Sequence, residues 1–186
     1  MFDDKEVVSR VLSGDQKAFN LLVKQYQRLV FHVISKMIDN RQDSEDVCQD
    51  VFIKIYKGLH LFEFRSKLST WIASIAYLTS VNHLKKSKKY HFSAEHPDME
   101  KLFMADEGPL EEVTKKDMTA NIFKIVDQMP MPYKVLVSLY HLHGFSYLEM
   151  VEITGIPEGT IKSYLFRARK ILKERIMANT KNEEYE

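Results

Sequence analysis

Residues 145–170 read FSYLEMVEITGIPEGTIKSYLFRARK, and this stretch decides the class of fold. Ser146 is followed three residues later by Glu149, which is the capping-box pattern that begins a helix. Gly155 supplies a turn after that short helix. A longer helix is expected over about residues 159–178. Two helices joined by a short glycine turn predict a helix-turn-helix.

The two helices are expected to share an apolar core and to leave a basic face exposed. The expected core residues are Leu148, Val151, Ile153, Ile156, Ile161 and Leu165. An α-helix fits the major groove of DNA, where Arg and Lys reach guanine edges or phosphates. A solvated basic helix is the alternative, but the capped helix and glycine turn favour DNA binding. The expected DNA-contacting residues are Thr160, Lys162, Ser163, Tyr164, Phe166, Arg167, Arg169 and Lys170.

The remaining sequence also reads as helices with one apolar face. Asp15 is placed to cap a helix that runs to about Met37. A second helix is expected to begin at Asp43, where Asp46 completes a pattern close to a capping box. Further helices are expected over about residues 69–89, 113–128 and 133–142, and the proline-rich stretch at 129–132 ends one of them. No segment is predicted to form a strand.

Residues 91–112 interrupt the helical pattern. They contain two prolines, one glycine and seven acidic residues, with Lys101 as the single Lys or Arg. Such a composition is typical of a flexible linker. The sequence therefore predicts an all-α chain with two small helical domains, at 10–90 and 113–178, joined by an acidic linker.

Composition restricts the class of function. The chain has 186 residues, a formal net charge of +1 and no apolar run long enough to cross a bilayer. Its single cysteine, Cys48, allows no internal disulfide and suits the cytoplasm. No glycine-rich phosphate loop, Gly-x-Ser-x-Gly or His-Glu-x-x-His motif is present. We therefore predict a protein that is not an enzyme, with no catalytic residues, cofactor, metal or small-molecule substrate.

Residues 156–172, IPEGTIKSYLFRARKIL, resemble region 4 of the sigma factors of the extracytoplasmic-function (ECF) group, within the sigma-70 family. Met129-Pro-Met-Pro-Tyr-Lys-Val135 resembles the stretch that opens this region. The resemblance implies that the second half binds the −35 promoter element and the flap of the β subunit of RNA polymerase.

Two segments of the first half resemble sigma region 2. They are residues 15–26 and residues 43–53, and the second has the family's acidic-then-apolar helix. In the family this helix docks on the β′ clamp of core RNA polymerase. Helix capping is an alternative reason for the acids in its first turn. The candidate polymerase-binding residues are Asp43, Glu45, Asp46, Gln49, Asp50 and Phe52.

Residues 62–76 resemble the part of region 2 that captures an unpaired base of the −10 element. Aromatic rings stack on such a base and cations hold its phosphate. Core packing is the alternative for each aromatic ring. Phe64 stands where the family commonly has glycine. The candidate residues for −10 binding and melting are Phe62, Phe64, Arg65, Lys67, Trp71, Asn82, Lys85 and Lys86, with Lys88 and Lys89 extending the same surface.

The resemblance implies a set of partners. They are core RNA polymerase, through its β′ clamp and β flap, promoter DNA, and an anti-sigma factor of the kind that is often membrane-bound. In the family, the linker lies near the RNA exit path. A helix-turn-helix repressor that binds duplex DNA without polymerase is the alternative function, and it would require a dimer interface.

Overall fold

The computed structural model describes residues 3–86 and 118–183, which form eight α-helices and, within those ranges, no strand. The front domain (residues 3–86) contains α1 (Asp4–Leu12), α2 (Gln16–Ser35), α3 (Arg41–Gly58) and α4 (Leu68–Lys86), with a 3-10 turn at Leu59–Leu61. The rear domain (residues 118–183) contains α5 (Met118–Gln128), α6 (Met131–Val137), α7 (Tyr147–Thr154) and α8 (Glu158–Glu183). The predicted all-α class is confirmed. The predicted linker, Lys88, Lys89 and residues 113–117 lie outside the described residues.

The predicted start of α2 is confirmed, and that of α3 is wrong by two residues. The Asp15 carboxylate accepts hydrogen bonds from the backbone N–H groups of Lys17 and Ala18 at 2.8 and 3.2 Å. In α3 the cap is Asn40, whose side-chain oxygen accepts from the N–H of Asp43 at 3.0 Å. Asp43 therefore lies in the first turn of α3 and not at its cap. The Asn40 side chain is the cap because it accepts the hydrogen bond from the backbone N–H of Asp43.

The first helix, α1, was not predicted. Asp3 caps it, and Val7, Val8 and Val11 are buried against the front domain. The Tyr26 hydroxyl on α2 donates a hydrogen bond of 2.6 Å to Asp4. The nine residues of α1 are too few for a stable isolated helix, so its stability comes from this packing.

Each domain has an apolar core. In the front domain, α2, α3 and α4 pack against one another. Their fully buried side chains include Leu22, Val30, Ile34, Val51, Ile55 and Ile72. In the rear domain, α8 packs against α5, α6 and α7. The fully buried side chains of that domain include Leu136, Leu139, Met150, Ile153, Ile161 and Leu165.

Leu148 does not join the predicted core, because its side chain is 68% exposed. Met150, two positions later, is completely buried. Two positions correspond to about 200° around a helix axis, so the two side chains lie on opposite sides of α7. Such a short helix offers too little periodicity for the sequence to identify its buried side.

The two domains pack against each other. Helix α4 of the front domain packs against α7 of the rear domain, and the π-helical turn Ser138–Leu142 that follows α6 packs against α2. We call these two contacts together the closure interface. Among the described helices, none has the length and apolar character that a membrane crossing requires.

Candidate nucleic-acid and polymerase surfaces

The helix-turn-helix in the rear domain has the predicted local geometry. The Ser146 backbone N–H and hydroxyl both donate to the Glu149 carboxylate at 2.8 Å, and the Glu149 N–H donates back to the Ser146 hydroxyl at 3.3 Å. Gly155 ends α7 with φ of 72°, in the left-handed region that glycine adopts readily. The capping box and the glycine turn are therefore confirmed: the first fixes where α7 begins, and the second sets the direction of the chain between α7 and α8.

Most of the predicted DNA-contacting residues lie on the outer side of α8. Phe166 is 69% exposed, and Thr160 and Arg167 are half-buried. The exposed polar members of the set are Lys162, Ser163, Arg169 and Lys170. Together they give the first half of α8 a solvent-facing side that carries three exposed cations.

The prediction that Tyr164 lies on this exposed face is wrong. Its side chain is 9% exposed and packs edge-on against Tyr133, with ring centroids 5.3 Å apart. Burial raises the pKa of the Tyr164 hydroxyl. The residue occupies the apolar stripe of α8 together with Ile161 and Ala168, which explains why its ring faces inward.

Two cations of α8 have acidic neighbours one turn away. Lys162 lies 2.6 Å from Glu158, and its ammonium also lies over the Tyr147 ring at 5.4 Å. Lys170 lies 4.0 Å from Glu174. Exposed pairs of this kind are worth less than about 1 kcal/mol, so a phosphate can replace the carboxylate.

Three aromatic rings are in contact where the loop at residues 62–67, here called the strand-holding loop because it is predicted to bind the unpaired −10 strand, meets the start of α4. Phe62 is buried, and its ring centroid lies 4.6 Å from that of Phe64 and 5.1 Å from that of Trp71. Phe64 is 40% exposed and Trp71 is half-buried. Phe64 and Trp71 therefore provide the solvent-accessible aromatic surface, and the buried Phe62 ring packs against both of them.

Phe64 has φ of 55°, the one positive φ at a non-glycine residue in the described part of the chain. A side chain in this left-handed region costs roughly 1–2 kcal/mol, and glycine does not incur that cost. The backbone geometry gives a physical reason why glycine suits this position.

Both predicted cations of this loop are paired with acids. Arg65 lies 2.6 Å from Glu63 within the loop. Lys67 lies 2.9 Å from Glu149 of α7, and the Thr70 hydroxyl is also 3.5 Å from that carboxylate. A cleft of about 1030 Å³ lies beside these groups. It is lined by Asp3, Asp4, Lys5, Glu6, Phe64, Arg65, Ser66, Lys67, Leu68, Glu149 and Glu152.

The other −10 candidates lie at the C-terminal end of α4. Asn82, Lys85 and Lys86 are all exposed. Their spacing of three and four residues places Asn82 beside the two lysines on the helix surface. This end of α4 is basic and accessible.

The predicted polymerase-binding residues occupy the outer face of α3. Asp46, Gln49 and Asp50 are exposed, while Glu45 is paired with Arg41 at 3.0 Å. Asp43 is half-buried, with its carboxylate 3.7 Å from His83.

Phe52 is half-buried, in keeping with its expected partly outward position, and the sequence did not indicate two exposed apolar residues near it. Ile53 is 51% exposed and Tyr56 is 54% exposed. With Phe52 and Phe19 they line a groove of about 500 Å³ between α2 and α3. Ile53 follows Gln49 and Asp50 at the spacing that shares a helix face, so that spacing was the available signal.

The surroundings of Cys48 do not activate its thiol. Burial, with the negative charge of Glu45, raises the pKa of the Cys48 thiol to about 11, so the thiol stays protonated. Across residues 3–86 and 118–183, no three side chains of His, Cys, Asp or Glu are grouped to hold a metal ion.

Comparison with known proteins places this arrangement in a known group. Residues 22–90 match the family Sigma-70 region 2, and residues 120–172 match Sigma-70, region 4. The chain is 32% identical over 180 residues to the ECF RNA polymerase sigma-E factor of Haemophilus influenzae, covering 93% of this chain and 95% of the relative. The sigma-E factor of Escherichia coli K12 has the same identity, with 93% and 94% covered.

Two solved structures have a similar fold. CnrH in complex with the cytosolic domain of CnrY has a TM-score of 0.63 at 19% identity, covering 94% of this chain and 97% of that chain. The sigma factor RpoE of Bartonella quintana, in complex with the anti-sigma factor NepR, has a TM-score of 0.63 at 24% identity, covering 87% and 98%.

Proposed function

The chain belongs to the ECF sigma factors of the sigma-70 family, and we propose which of its surfaces carry out promoter recognition with RNA polymerase. Members of this family are transcription initiation factors. The observation that carries the assignment is the pairing, in one chain, of a capped helix-turn-helix with a domain that presents an aromatic and basic loop.

The rear domain is assigned to the −35 element. Helix α8 enters the major groove, with Thr160, Lys162 and Ser163 nearest the bases because they lie at its N-terminal end. Arg169 and Lys170 then lie closer to the phosphates. Buried Tyr164 supports the helix from inside and is removed from the contacting set. The β flap of polymerase is a further proposed contact of this domain.

The front domain is assigned to the −10 element. Phe64 and Trp71 provide stacking surface for an unpaired base, and Arg65 and Lys67 hold the adjacent phosphates. Asn82, Lys85 and Lys86 extend the basic surface along α4. Stacking of one base on an aromatic ring is worth about 1–3 kcal/mol, enough to favour a parted strand locally.

Helix α3 is assigned to the β′ clamp of core polymerase. Asp46, Gln49 and Asp50 supply charge and hydrogen-bonding groups, and Ile53 and Tyr56 add an exposed apolar patch beside them. A polar rim next to a large apolar side chain is the usual composition of a binding hot spot.

Two further roles follow from the family. We propose that the chain acts in the cytoplasm, where polymerase is found, and that an anti-sigma factor holds it inactive. NepR is such a partner for the Bartonella protein. We also propose that the chain has no enzymatic activity of its own.

The test is binding and transcription with purified core RNA polymerase. The chain should co-elute with core polymerase and direct transcription from a library of genomic fragments. Asp50→Arg should weaken core binding about tenfold or more, because it opposes a basic partner surface. Glu6→Arg makes the same change in net charge on α1 and serves as the control.

The assignment of α3 would be wrong if Asp50→Arg and Glu6→Arg bound core polymerase equally well. A chain that never associates with core polymerase at moderate salt would overturn the proposed function as a whole.

A further inference from the structure

Tyr147, the first residue of α7, lies against a cation of the helix that we assign to the −35 element. The Lys162 ammonium on α8 is over the face of the Tyr147 ring, 5.4 Å from its centroid. An ammonium within about 6 Å of an aromatic centroid is attracted by the negative face of the ring. Lys162 is one of the residues that we place nearest the bases, so the position of its ammonium bears directly on recognition.

The Tyr147 ring is held from two sides. Its backbone follows the capping box of Ser146 and Glu149, which fixes the first turn of α7. On the other side the ring stacks on Tyr140, with centroids 5.3 Å apart and planes 12° apart. Both tyrosines are half-buried and pack against the apolar core. The ring is therefore a fixed surface, whereas a lysine side chain by itself is a flexible four-carbon stem.

Tyr140 belongs to the π-helical turn Ser138–Leu142, and its neighbour His141 extends the row of rings. His141 packs edge-on against Tyr140, with centroids 4.9 Å apart and planes 86° apart. Partial burial and then the positive charge of Arg169 lower the pKa of His141, so its ring is uncharged at neutral pH. We call Tyr147, Tyr140 and His141 the aromatic row. The row lies beside α8 and adds no charge of its own there.

The other partner of Lys162 is an acid that DNA can replace. Glu158 lies 2.6 Å from the Lys162 ammonium, and the two side chains are 41% and 54% exposed. An exposed ion pair of this kind is weak, so a phosphate or a guanine acceptor can take the place of the carboxylate. The ring attracts the cation through its face and leaves N–H donors of the ammonium free. The Tyr147 contact can therefore persist while Lys162 binds DNA.

We propose that Tyr147 is a positioning residue for −35 recognition: its ring, backed by Tyr140, holds the Lys162 ammonium at the start of α8, where it meets the bases. This inference rests on the proposed function and adds to it a residue that acts through a member of the contacting set. A lysine side chain loses rotamer freedom when it binds, and one that is already held loses less. The contact thus strengthens binding and restricts which base the ammonium reaches.

The test separates the aromatic face of Tyr147 from its hydroxyl. Tyr147→Leu removes the face, whereas Tyr147→Phe keeps the face and removes only the hydroxyl, so it is the matched control. Both variants are made in the full chain, alone and combined with Lys162→Ala. The first measurement is the NMR chemical shift of the Lys162 ε-methylene protons in the free chain. Protons over a ring face move upfield, so wild type and Tyr147→Phe should show an upfield shift that Tyr147→Leu lacks.

The second measurement is the affinity of the chain, bound to core polymerase, for a fluorescent duplex that carries the −35 region of a promoter selected from the genomic fragment library. Tyr147→Leu should weaken this affinity about two- to fivefold, the strength of an exposed cation–π contact, and Tyr147→Phe should resemble wild type. In the Lys162→Ala background, Tyr147→Leu should cause no further loss, because the ring acts through the lysine. Denaturant unfolding of each variant measures any loss of stability separately.

The proposal is overturned if Tyr147→Leu binds the duplex as wild type does, or if its loss is the same with and without Lys162. It is also overturned if Tyr147→Phe loses as much as Tyr147→Leu, which would assign the effect to the hydroxyl, or if the wild-type chain lacks the upfield shift. Failure of the proposed function looks different: no promoter would be selected with core polymerase, while the upfield shift in the free chain would remain.

Discussion

The two surfaces that we propose contact DNA differ in local structure and in the partners of their cations. The outer side of α8 is a regular helix surface with exposed cations, and its acidic neighbours are weak pairs within the same helix. The loop before α4 has a residue with positive φ, a buried supporting ring and a lysine held by the other domain. The proposed duplex-binding surface is thus preformed, whereas one cation of the proposed strand-binding loop, Lys67, is paired with an acid of the other domain.

This difference suggests where control acts. A helix anchored by a buried stripe needs no rearrangement to enter a groove. A loop whose cation is already neutralised must first exchange one partner for another. We therefore expect changes at the front domain and at the closure interface to alter DNA binding by the loop more than that by α8.

The largest effect should come from the buried side of α8. Leu165→Ala creates a cavity at a completely buried position and should lower the free energy of unfolding by about 2–5 kcal/mol. Phe166→Ala, at the adjacent exposed position, should change it by less than about 0.5 kcal/mol. Denaturant unfolding of both variants checks this, and equal losses would show that α8 is not anchored as described.

The exposed side of α8 should affect DNA rather than folding. Arg167→Ala should weaken binding of the polymerase complex to −35 DNA by about 1–3 kcal/mol, through loss of a base or phosphate contact. Its affinity for core polymerase should stay at the wild-type value. Binding to a −35 duplex and to core polymerase, measured separately, tests this. Loss of core affinity in this variant would contradict the role given to α8.

Backbone strain in the loop predicts a smaller effect. Phe64→Gly and Phe64→Ala both remove the ring, but only glycine adopts a φ of 55° without strain. The glycine variant should be more stable than the alanine variant by about 1 kcal/mol in thermal or denaturant unfolding. Equal stability would mean that the loop relaxes to negative φ when the ring is absent.

Acidification should weaken closure modestly. Burial, with the charges of His32 and Arg28, lowers the pKa of His143 to about 4, and burial also lowers the pKa of His32. Groups around this pair include Lys36, which disfavours protonation, and Asp127, which favours it. When the closure interface opens, the pKa of His143 returns toward its ordinary value of 6.5. The open form therefore binds more protons than the closed form between about pH 6.5 and pH 4.

The closed population should therefore fall as pH drops through that window. This population is measured from the distance between two spin labels, attached at Ser13→Cys and Lys173→Cys in a Cys48→Ser background, as the pH is lowered. His143→Gln should remove most of the pH dependence. A closed population that stays constant in wild type would contradict the contribution of the histidine pair.

Local signals in the sequence predicted much of the fold. The caps at Asp15 and at Ser146 with Glu149, and the glycine turn at Gly155, depend on neighbouring residues alone. Tyr164 and Leu148 were misplaced, because a tyrosine is compatible with either side of a helix and a short helix has little periodicity. Their burial is decided by which helices pack around them.

The packing of the two domains could not be predicted from the sequence. An acidic stretch at 91–112 suggested separate bodies, and the residues that join them are far apart in the chain. Lys67 and Glu149 each had a complete local interpretation, as a loop cation and as a capping residue. Only the folded chain brings these two side chains within 2.9 Å.

One measurement tests the central claim most directly: footprinting of a responsive promoter with the chain alone, with core polymerase alone and with both. With both, the −35 region should be protected and the strands around −10 should become reactive to a probe of unpaired bases. The chain alone should give neither signal at moderate salt. A complete −35 footprint from the chain alone, with no opening when polymerase is added, would indicate a repressor and contradict the account.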